Sequence, residues 1–304
     1  MDRLSLALEA APKALVYSAV LLAVGACGAR WLLLRSAGPD RSSDAVIHVD
    51  RACSYLAMTA ALVLVVAFPL RAWGHTAASF GITEAFEWTN LRLIAWESDW
   101  GSGWQRQMAG ALAFGVLAWS TTQWGDAGWS LANLGVLALC YLLPLTGHAA
   151  GELGPVLLHG THVLAAGLWV GTLTAAVVAT RVATVADTPA GAATPLSLRA
   201  QMLGRFSSIA LTGAGVAIGT GLTALWWYLG SVENLWSTTY GWAVLLKVIF
   251  VGDVATFGFL NWKTLHRPAT AERLRLRPTV LVGEIVMAAA VVAVTAVLTE
   301  LEHP

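Results

Sequence analysis

Residues 51–72 read RACSYLAMTAALVLVVAFPLRA, and no charged residue lies between Arg51 and Arg71. An α-helix rises about 1.5 Å per residue, so about 20 apolar residues are enough to cross the hydrocarbon core of a bilayer. The stretch therefore predicts a membrane-spanning helix.

Other stretches of the chain pass the same test. With 51–72, the predicted spans are 12–35, 104–124, 128–147, 154–181, 202–230, 239–265 and 275–299. Short, turn-rich joints separate some of them, such as GDAG at 125–128 and GHAAG at 147–151. The sequence predicts an all-α, polytopic integral membrane protein, a bundle of about eight transmembrane helices in a lipid bilayer.

Composition agrees with this class. Hydrophobic residues make up 57% of the chain and charged residues only 12%, whereas soluble domains carry about 25% charged residues. The mean hydropathy is +0.66. The net charge is zero, so no nucleic-acid partner is expected. Cys27, Cys53 and Cys140 lie apart in apolar segments, which predicts neither a disulfide framework nor a CxxC metal site.

Two membrane halves of four helices each are predicted, residues 1–150 and 151–304. The first half contains a long loop, 73–103, in which tryptophans alternate with acidic residues; this pattern predicts an interfacial helix or lid. The chain has no P-loop, no Gly-x-Ser-x-Gly elbow and no His-Glu-x-x-His pattern. Nearly all of it is used in spanning, and we expect no enzymatic activity.

Basic residues predict the orientation. The loops after spans 1, 3, 5 and 7 share one side and carry most of the Arg and Lys residues: Arg30, Arg35, Arg41, Arg51, Arg181, Arg199, Arg205, Lys263, Arg267, Arg273, Arg275 and Arg277. The opposite side has only Arg3, Lys13, Arg71, Arg92 and Arg106. The positive-inside rule then places both termini on the outer side of the membrane.

Four histidines are predicted near that outer side. His148 ends span 4, His75 follows span 2, and His159 and His162 lie one turn apart on the same face of span 5. Met108 is expected at a similar depth. Imidazoles beside a thioether suit copper. These ligand types do not decide between Cu(I) and Cu(II). Alternatively, each histidine only hydrogen-bonds a neighbouring helix, as membrane histidines often do.

Three charged residues fall deep inside predicted spans, far from the span ends: Lys247 and Asp253 in span 7, and Glu284 in span 8. A charge at that depth costs at least about 2.5 kcal/mol, so such residues pair with one another or line a polar cavity. They are interpreted either as a polar path for an ion or as a structural salt bridge between helices.

Several sequence patches from 147 to 300 resemble one family, the copper resistance protein D (CopD) family of bacterial inner-membrane proteins. These patches are GHA at 147–149, HGTHVLAAGLWVG at 159–171, GRFS at 204–207 with TG at 220–221, YGWAVLLK at 240–247 with Asn261, and Glu284 with LT at 298–299. The first four spans resemble the family only in general layout.

The resemblance implies an eight-helix protein of the bacterial inner membrane that handles copper at the periplasmic face and moves it inward. Some members carry a fused periplasmic copper-binding domain; none is expected here, so a copper donor would be a separate protein.

We therefore expect copper uptake or transfer through an outer site of His148, His159 and His162, with Met108 and His75 as supplements. One alternative is a membrane electron-transfer protein with haem b held between histidines on facing helices. Another is an assembly factor for a copper enzyme. The oligomeric state is left open.

Overall fold

The computed structural model describes residues 3–38, 41–147, 150–185, 195–265, 278–301 and 304, and these contain helices and turns but no strand. The α-helices are α1 (Arg3–Ala37), α2 (Asp44–Phe80), α3 (Trp88–Arg92), α4 (Asp99–Ser120), α5 (Gly125–Leu142), α6 (Leu153–Ala166), α7 (Thr172–Val185), α8 (Pro195–Leu229), α9 (Asn234–Ser237), α10 (Thr239–Leu265) and α11 (Pro278–Leu298). Glu84–Phe86 and Leu143–Thr146 are 3₁₀ turns, and Leu93–Glu97 and Gly167–Gly171 are π-helical.

Six helical rods among these residues are long and apolar enough to cross a membrane: Arg3–Ala37, Asp44–Phe80, Gly125–Thr146, Leu153–Val182, Leu198–Leu229 and Thr239–Leu260. The fifth predicted span is thus one rod, made of α6, the π-helical turn and α7. Helices α4, of 22 residues, and α11, of 21 residues, supply two further rods in the predicted order. The predicted class, an all-α polytopic membrane bundle, is confirmed.

Several helices extend beyond the predicted spans. Helix α1 begins at Arg3 and α2 continues to Phe80, so both project past the about 20 residues that a bilayer core requires. Helix α4 begins at Asp99, where the Ser98 hydroxyl caps it by accepting a hydrogen bond from the Gly101 amide at 2.9 Å. Only short helical turns lie between α2 and α4.

Aromatic packing organises that connection. The Trp88 and Trp96 rings lie 5.7 Å apart, and Trp96 meets Trp104 of α4 at 5.8 Å. Trp73 of α2 packs on Phe86 at 5.5 Å. The tryptophan-rich region is therefore built on the ends of α2 and α4 and on the turns between them.

Helix α1 runs through the centre of the bundle and packs against α2, α5, α7, α8 and α11. Close approach requires glycine where α1 crosses the π-helical turn. A Cβ atom on Gly25 would overlap the backbone of Gly171, and one on Gly171 would overlap the Leu21 carbonyl oxygen. Small residues at such crossings let helix backbones pack closely inside a membrane.

Ion pairs mark the two ends of the bundle. At the first, which we call the terminal end, Lys13 near the start of α1 pairs with Glu300 just after α11 at 2.6 Å. At the second, which we call the Arg30 end, the guanidinium of Arg30 pairs with Asp50 of α2 at 2.9 Å and with Asp126 of α5. The N-terminal end of α1 and the C-terminal end of α11 therefore lie on the same side of the bundle.

Candidate functional site

Helix α6 presents His159 and His162 between its neighbours α5 and α8. The spacing of three residues puts both imidazoles on one face, and both are half-buried. Between them lies Gly160, which packs directly under the Tyr141 ring of α5. The Tyr141 hydroxyl is 3.1 Å from the Thr161 hydroxyl, so α5 fixes the rotation of α6 about its own axis.

His162 contacts α8 through a hydrogen bond to Thr220. Its Nδ1 lies 2.9 Å from Oγ1 of Thr220. The Thr220 hydroxyl also lies 2.7 Å from the Val216 carbonyl oxygen, one turn back on α8. A hydroxyl has one proton, and the shorter bond to the carbonyl uses it, so this arrangement favours donation from His162 Nδ1–H to Thr220. The lone pair then lies on Nε2, the nitrogen available to a metal ion.

His159 contacts the same helix closer to its C-terminal end. Its Nε2 is 3.3 Å from the Tyr228 hydroxyl, and the two rings lie 5.6 Å apart, tilted by 33°. Gly221, one residue after Thr220, leaves room for the His162 ring, since an added Cβ would lie 3.4 Å from His162 Cε1. Thr220, Gly221 and Tyr228 thus form the α8 wall of the histidine face.

Lys247 lies on α10, a helix that packs against α8. Its side chain is half-buried. Asp253, further along α10, is also half-buried, and no ion pair joins it to Lys247. The third predicted charge, Glu284, belongs to α11, but its side chain lies outside the described residues. The choice between a polar path and a structural salt bridge stays a prediction.

Two of the other predicted ligands, Met108 and His75, have partners elsewhere in the bundle. His148 lies outside the described residues. Met108 is half-buried in α4 against the apolar core. His75 lies within α2, not in a loop, and its partners are Glu9 and Trp100. Among the residues that the structure describes, no three His, Cys, Asp or Glu side chains come together as a metal site. The ligand set therefore stays a prediction, of which the pair on α6 is the described part.

A polar network at the terminal end was not foreseen. His75 hydrogen-bonds Glu9 through Nδ1 and stacks on Trp100, with ring centroids 4.3 Å apart and an 11° angle between planes. The guanidinium of Arg71 lies 5.5 Å from the same Trp100 ring. These groups lie around a small cavity, which is lined by Glu9, Arg71, His75, Trp100 and Glu300.

Two of the most deeply buried charges in the described structure belong to this region. Lys13 is 6% exposed and Arg71 is 5% exposed. Arg71 donates to the side-chain oxygen of Gln107 at 2.9 Å, and Gln107 itself is fully buried. The sequence feature that indicates these buried charges is their position, because Lys13 and Arg71 interrupt or border apolar stretches. The positive-inside count instead assigns both residues to the membrane surface.

The π-helical turn Gly167–Gly171 follows the histidine face by one turn. π-Helical turns are rare and occur often at functional sites. Here the turn buries Trp169 and brings Gly171 onto α1. It lies within the sequence patch 159–171, so the histidines and the helix crossing belong to one continuous unit.

Together, the fold and this site define a polytopic helical membrane protein with two imidazoles facing a neighbouring helix. The profile of the copper resistance protein D (CopD) family matches residues 200–298, from α8 to the end of α11. The resemblance to that family is thereby confirmed for this part of the chain.

One curated relative extends the comparison to nearly the whole chain. The copper transport protein CutJ of Bacillus subtilis (strain 168) is 24% identical over 305 aligned residues, which cover 97% of this chain and 53% of that protein. The chain thus spans about half the length of this relative. No solved structure matches the chain significantly. The family description and the name of this relative both refer to copper.

Proposed function

We propose that this protein takes up copper, or transfers it, from the outer side of the membrane through a site built on His159 and His162. The observation that carries the proposal is the pair of imidazoles one turn apart on α6, facing α8. Helix α8 lies within the region that matches copper resistance protein D, and a relative at 24% identity is a copper transport protein.

The chemistry of the donors supports copper as the cargo. Imidazole nitrogen is a borderline ligand that binds copper in both oxidation states. Donation from His162 Nδ1 to Thr220 would leave Nε2 available to the cargo, as in metal-binding histidines whose second nitrogen is held by a partner. His148 would complete the site, because it follows the short turn at Gly147 that leads into α6. Met108 and His75 remain supplementary ligands.

Beyond the outer site, copper would move along the bundle near Lys247, Asp253 and Glu284, or pass to a partner. Lys247 would repel a cation, so we assign it to gating or to pairing with a carboxylate. The distribution of basic residues favours a bacterial inner membrane with the termini in the periplasm and the Arg30 end in the cytoplasm. The copper donor would be a separate periplasmic protein. Transport, not catalysis, is the proposed activity.

The test is metal analysis with an absorption spectrum on the purified protein, and copper accumulation in cells. The test variant is His159→Ala/His162→Ala. The matched control is His48→Ala/His266→Ala, which removes the same number of imidazoles; His48 bonds the Asp44 carbonyl oxygen away from this face. We expect copper binding and accumulation in the wild type and the control, and loss of both in the test variant.

Other outcomes separate the alternatives. Copper accumulation that is unchanged in the test variant would make the site assignment wrong. A Soret band that is lost in the test variant would identify a haem protein instead. Copper binding without accumulation would favour an assembly factor that transfers copper to an enzyme.

A further inference from the structure

A second polar site lies at the Arg30 end, remote from the histidine face in sequence and built by different helices. It is a cavity of about 390 Å³, within the size range of small-molecule sites. It lies between the C-terminal half of α1, the start of α2 and the connection from α4 to α5. Its lining residues are Arg30, Leu34, Arg41, Val46, Ile47, Asp50, Arg51, Ser54, Tyr55, Thr121, Thr122 and Asp126.

Both carboxylates of this cavity accept hydrogen bonds from one guanidinium. Arg30 donates from Nε to Asp50 at 2.9 Å and from its terminal nitrogen to Asp126. The same guanidinium lies 5.1 Å from the centre of the Trp129 ring, which holds it against the core. Both acidic groups thus face a fixed guanidinium, so the cavity is poorly suited to a cation.

Two further arginines make the lining suitable for an anion. Arg41 and Arg51 are exposed, and neither forms an ion pair among the described residues. With three arginines and two aspartates, the lining carries a net charge of +1. Guanidinium groups present several N–H donors in a plane, an arrangement that matches the oxygens of a phosphate.

The cavity also lies at the level expected for lipid headgroups. Trp31, next to Arg30, is 47% exposed, and the Arg35 guanidinium lies 4.9 Å from its ring centre. Trp124, the last residue of the α4–α5 connection, is 60% exposed. Exposed tryptophans at helix ends mark the membrane–water interface. The apolar part of the lining, from Leu34, Val46 and Ile47, would contact the glycerol and upper acyl chain.

We propose that this cavity binds the phosphate headgroup of an anionic phospholipid from the surrounding leaflet, held by Arg41 and Arg51. Arg30 has a structural role in this assignment, because its donors are used by Asp50 and Asp126. The site is independent of copper handling, since none of its lining residues belongs to α6, α8 or α10.

The experiment is native mass spectrometry of the delipidated, detergent-purified full chain titrated with phosphatidylglycerol. Zwitterionic phosphatidylcholine and soluble glycerol 3-phosphate are run in parallel. The test variant is Arg41→Gln/Arg51→Gln, and Arg41→Lys/Arg51→Lys keeps the charge. The matched control is Arg92→Gln/Arg106→Gln, which removes two exposed arginines outside the cavity. Circular dichroism melting shows that each variant is folded.

We expect the wild type and the control to bind one phosphatidylglycerol molecule in preference to phosphatidylcholine. The glutamine variant should bind it about tenfold more weakly, because each basic side chain near an anionic headgroup contributes to its attraction. The lysine variant should retain most of the affinity. Equal binding by the wild type and the glutamine variant would overturn the proposal, as would equal weakening in the control. Displacement of the lipid by glycerol 3-phosphate at similar concentration would overturn the assignment to a lipid and identify a soluble phosphate instead.

Discussion

Nζ of Lys13 lies 2.6 Å from Oε1 of Glu300, and this ion pair joins the first helix of the chain to the end of the last. Lys13 also donates to the Thr299 carbonyl oxygen at 3.3 Å. Both side chains are largely buried, with 7% and 17% of their surface exposed. The pair joins the end of α11 to α1 beside the polar network of Glu9, His75 and Arg71. An ion pair, in addition to apolar packing, therefore holds the first and last helices together.

Lys13→Met should destabilise the protein by about 3–5 kcal/mol, because it leaves the Glu300 carboxylate buried without its partner. The double variant Lys13→Met/Glu300→Met should lose less stability than the single variant, since no charge is then left unpaired. Thermal melting in detergent measures both. Losses that simply add between the two positions would contradict a coupled pair.

Gln107→Leu should lower the free energy of unfolding by about 1–3 kcal/mol, because Arg71 loses its hydrogen-bond acceptor in a buried position. Gln107 also donates to the carbonyl oxygen of Leu143 at 2.7 Å, so the same change removes that hydrogen bond as well. The matched control is Gln123→Leu in the exposed α4–α5 connection. A melting temperature equally lowered in both variants would argue against the Arg71–Gln107 contact as the cause.

Thr220→Val should weaken copper binding by about 10–100-fold, the usual cost of removing a group that orients a metal-binding histidine. The substitution conserves shape but removes the oxygen that accepts from His162 Nδ1. Competition titration with a copper chelator measures the affinity.

The control for that substitution is Thr223→Val, one turn further along α8. Thr223 is exposed, and its hydroxyl donates to the Gly219 carbonyl oxygen at 3.0 Å, much as Thr220 donates to Val216. We expect wild-type copper affinity in this variant. If the Thr220 and Thr223 variants bind copper equally well, His162 does not depend on the hydrogen bond.

Gly171→Ala should destabilise the bundle by about 1–3 kcal/mol, because the added methyl group overlaps the Leu21 carbonyl oxygen of α1 and the helices must separate. Gly215→Ala on α8 is the matched control, since no atom lies within 4 Å of its added Cβ. There the better helix propensity of alanine should leave stability unchanged or slightly higher. Thermal melting of the two variants gives the comparison, and an equal response would show that the α1 crossing is not tightly packed.

The general architecture could be predicted because it follows from local composition. Apolar runs such as 51–72 must be helical in a bilayer, where backbone groups have no water to bond. Their order also places both chain ends together, as the Lys13–Glu300 pair bears out. His159 and His162 share a helix face through the helical period alone. Helix ends were less predictable: α2 continues to Phe80, beyond the predicted span, because hydropathy marks the apolar core and not the end of the helix.

The identity of interhelical partners could not be predicted. Lys13 and Arg71 were counted among the surface charges, although both are buried and paired across helices. His75 was expected in a loop and instead lies in α2, bonded to Glu9. Nothing in the local sequence around His162 indicates Thr220, which lies on another helix, as its hydrogen-bond partner.

The sequence by itself determined that the chain spans a membrane as an all-α bundle, how its helices are ordered, and that two histidines share one face of α6. The physical reason is that bilayer thickness and helical periodicity act on neighbouring residues. Only the tertiary structure decided that α8 supplies Thr220 and Tyr228 to those histidines, that Lys13 pairs with Glu300 after α11, and that Arg30 pairs with two carboxylates. These contacts depend on how each helix is rotated about its axis and how closely glycines let the helices approach, and both are set by the packing of the whole bundle.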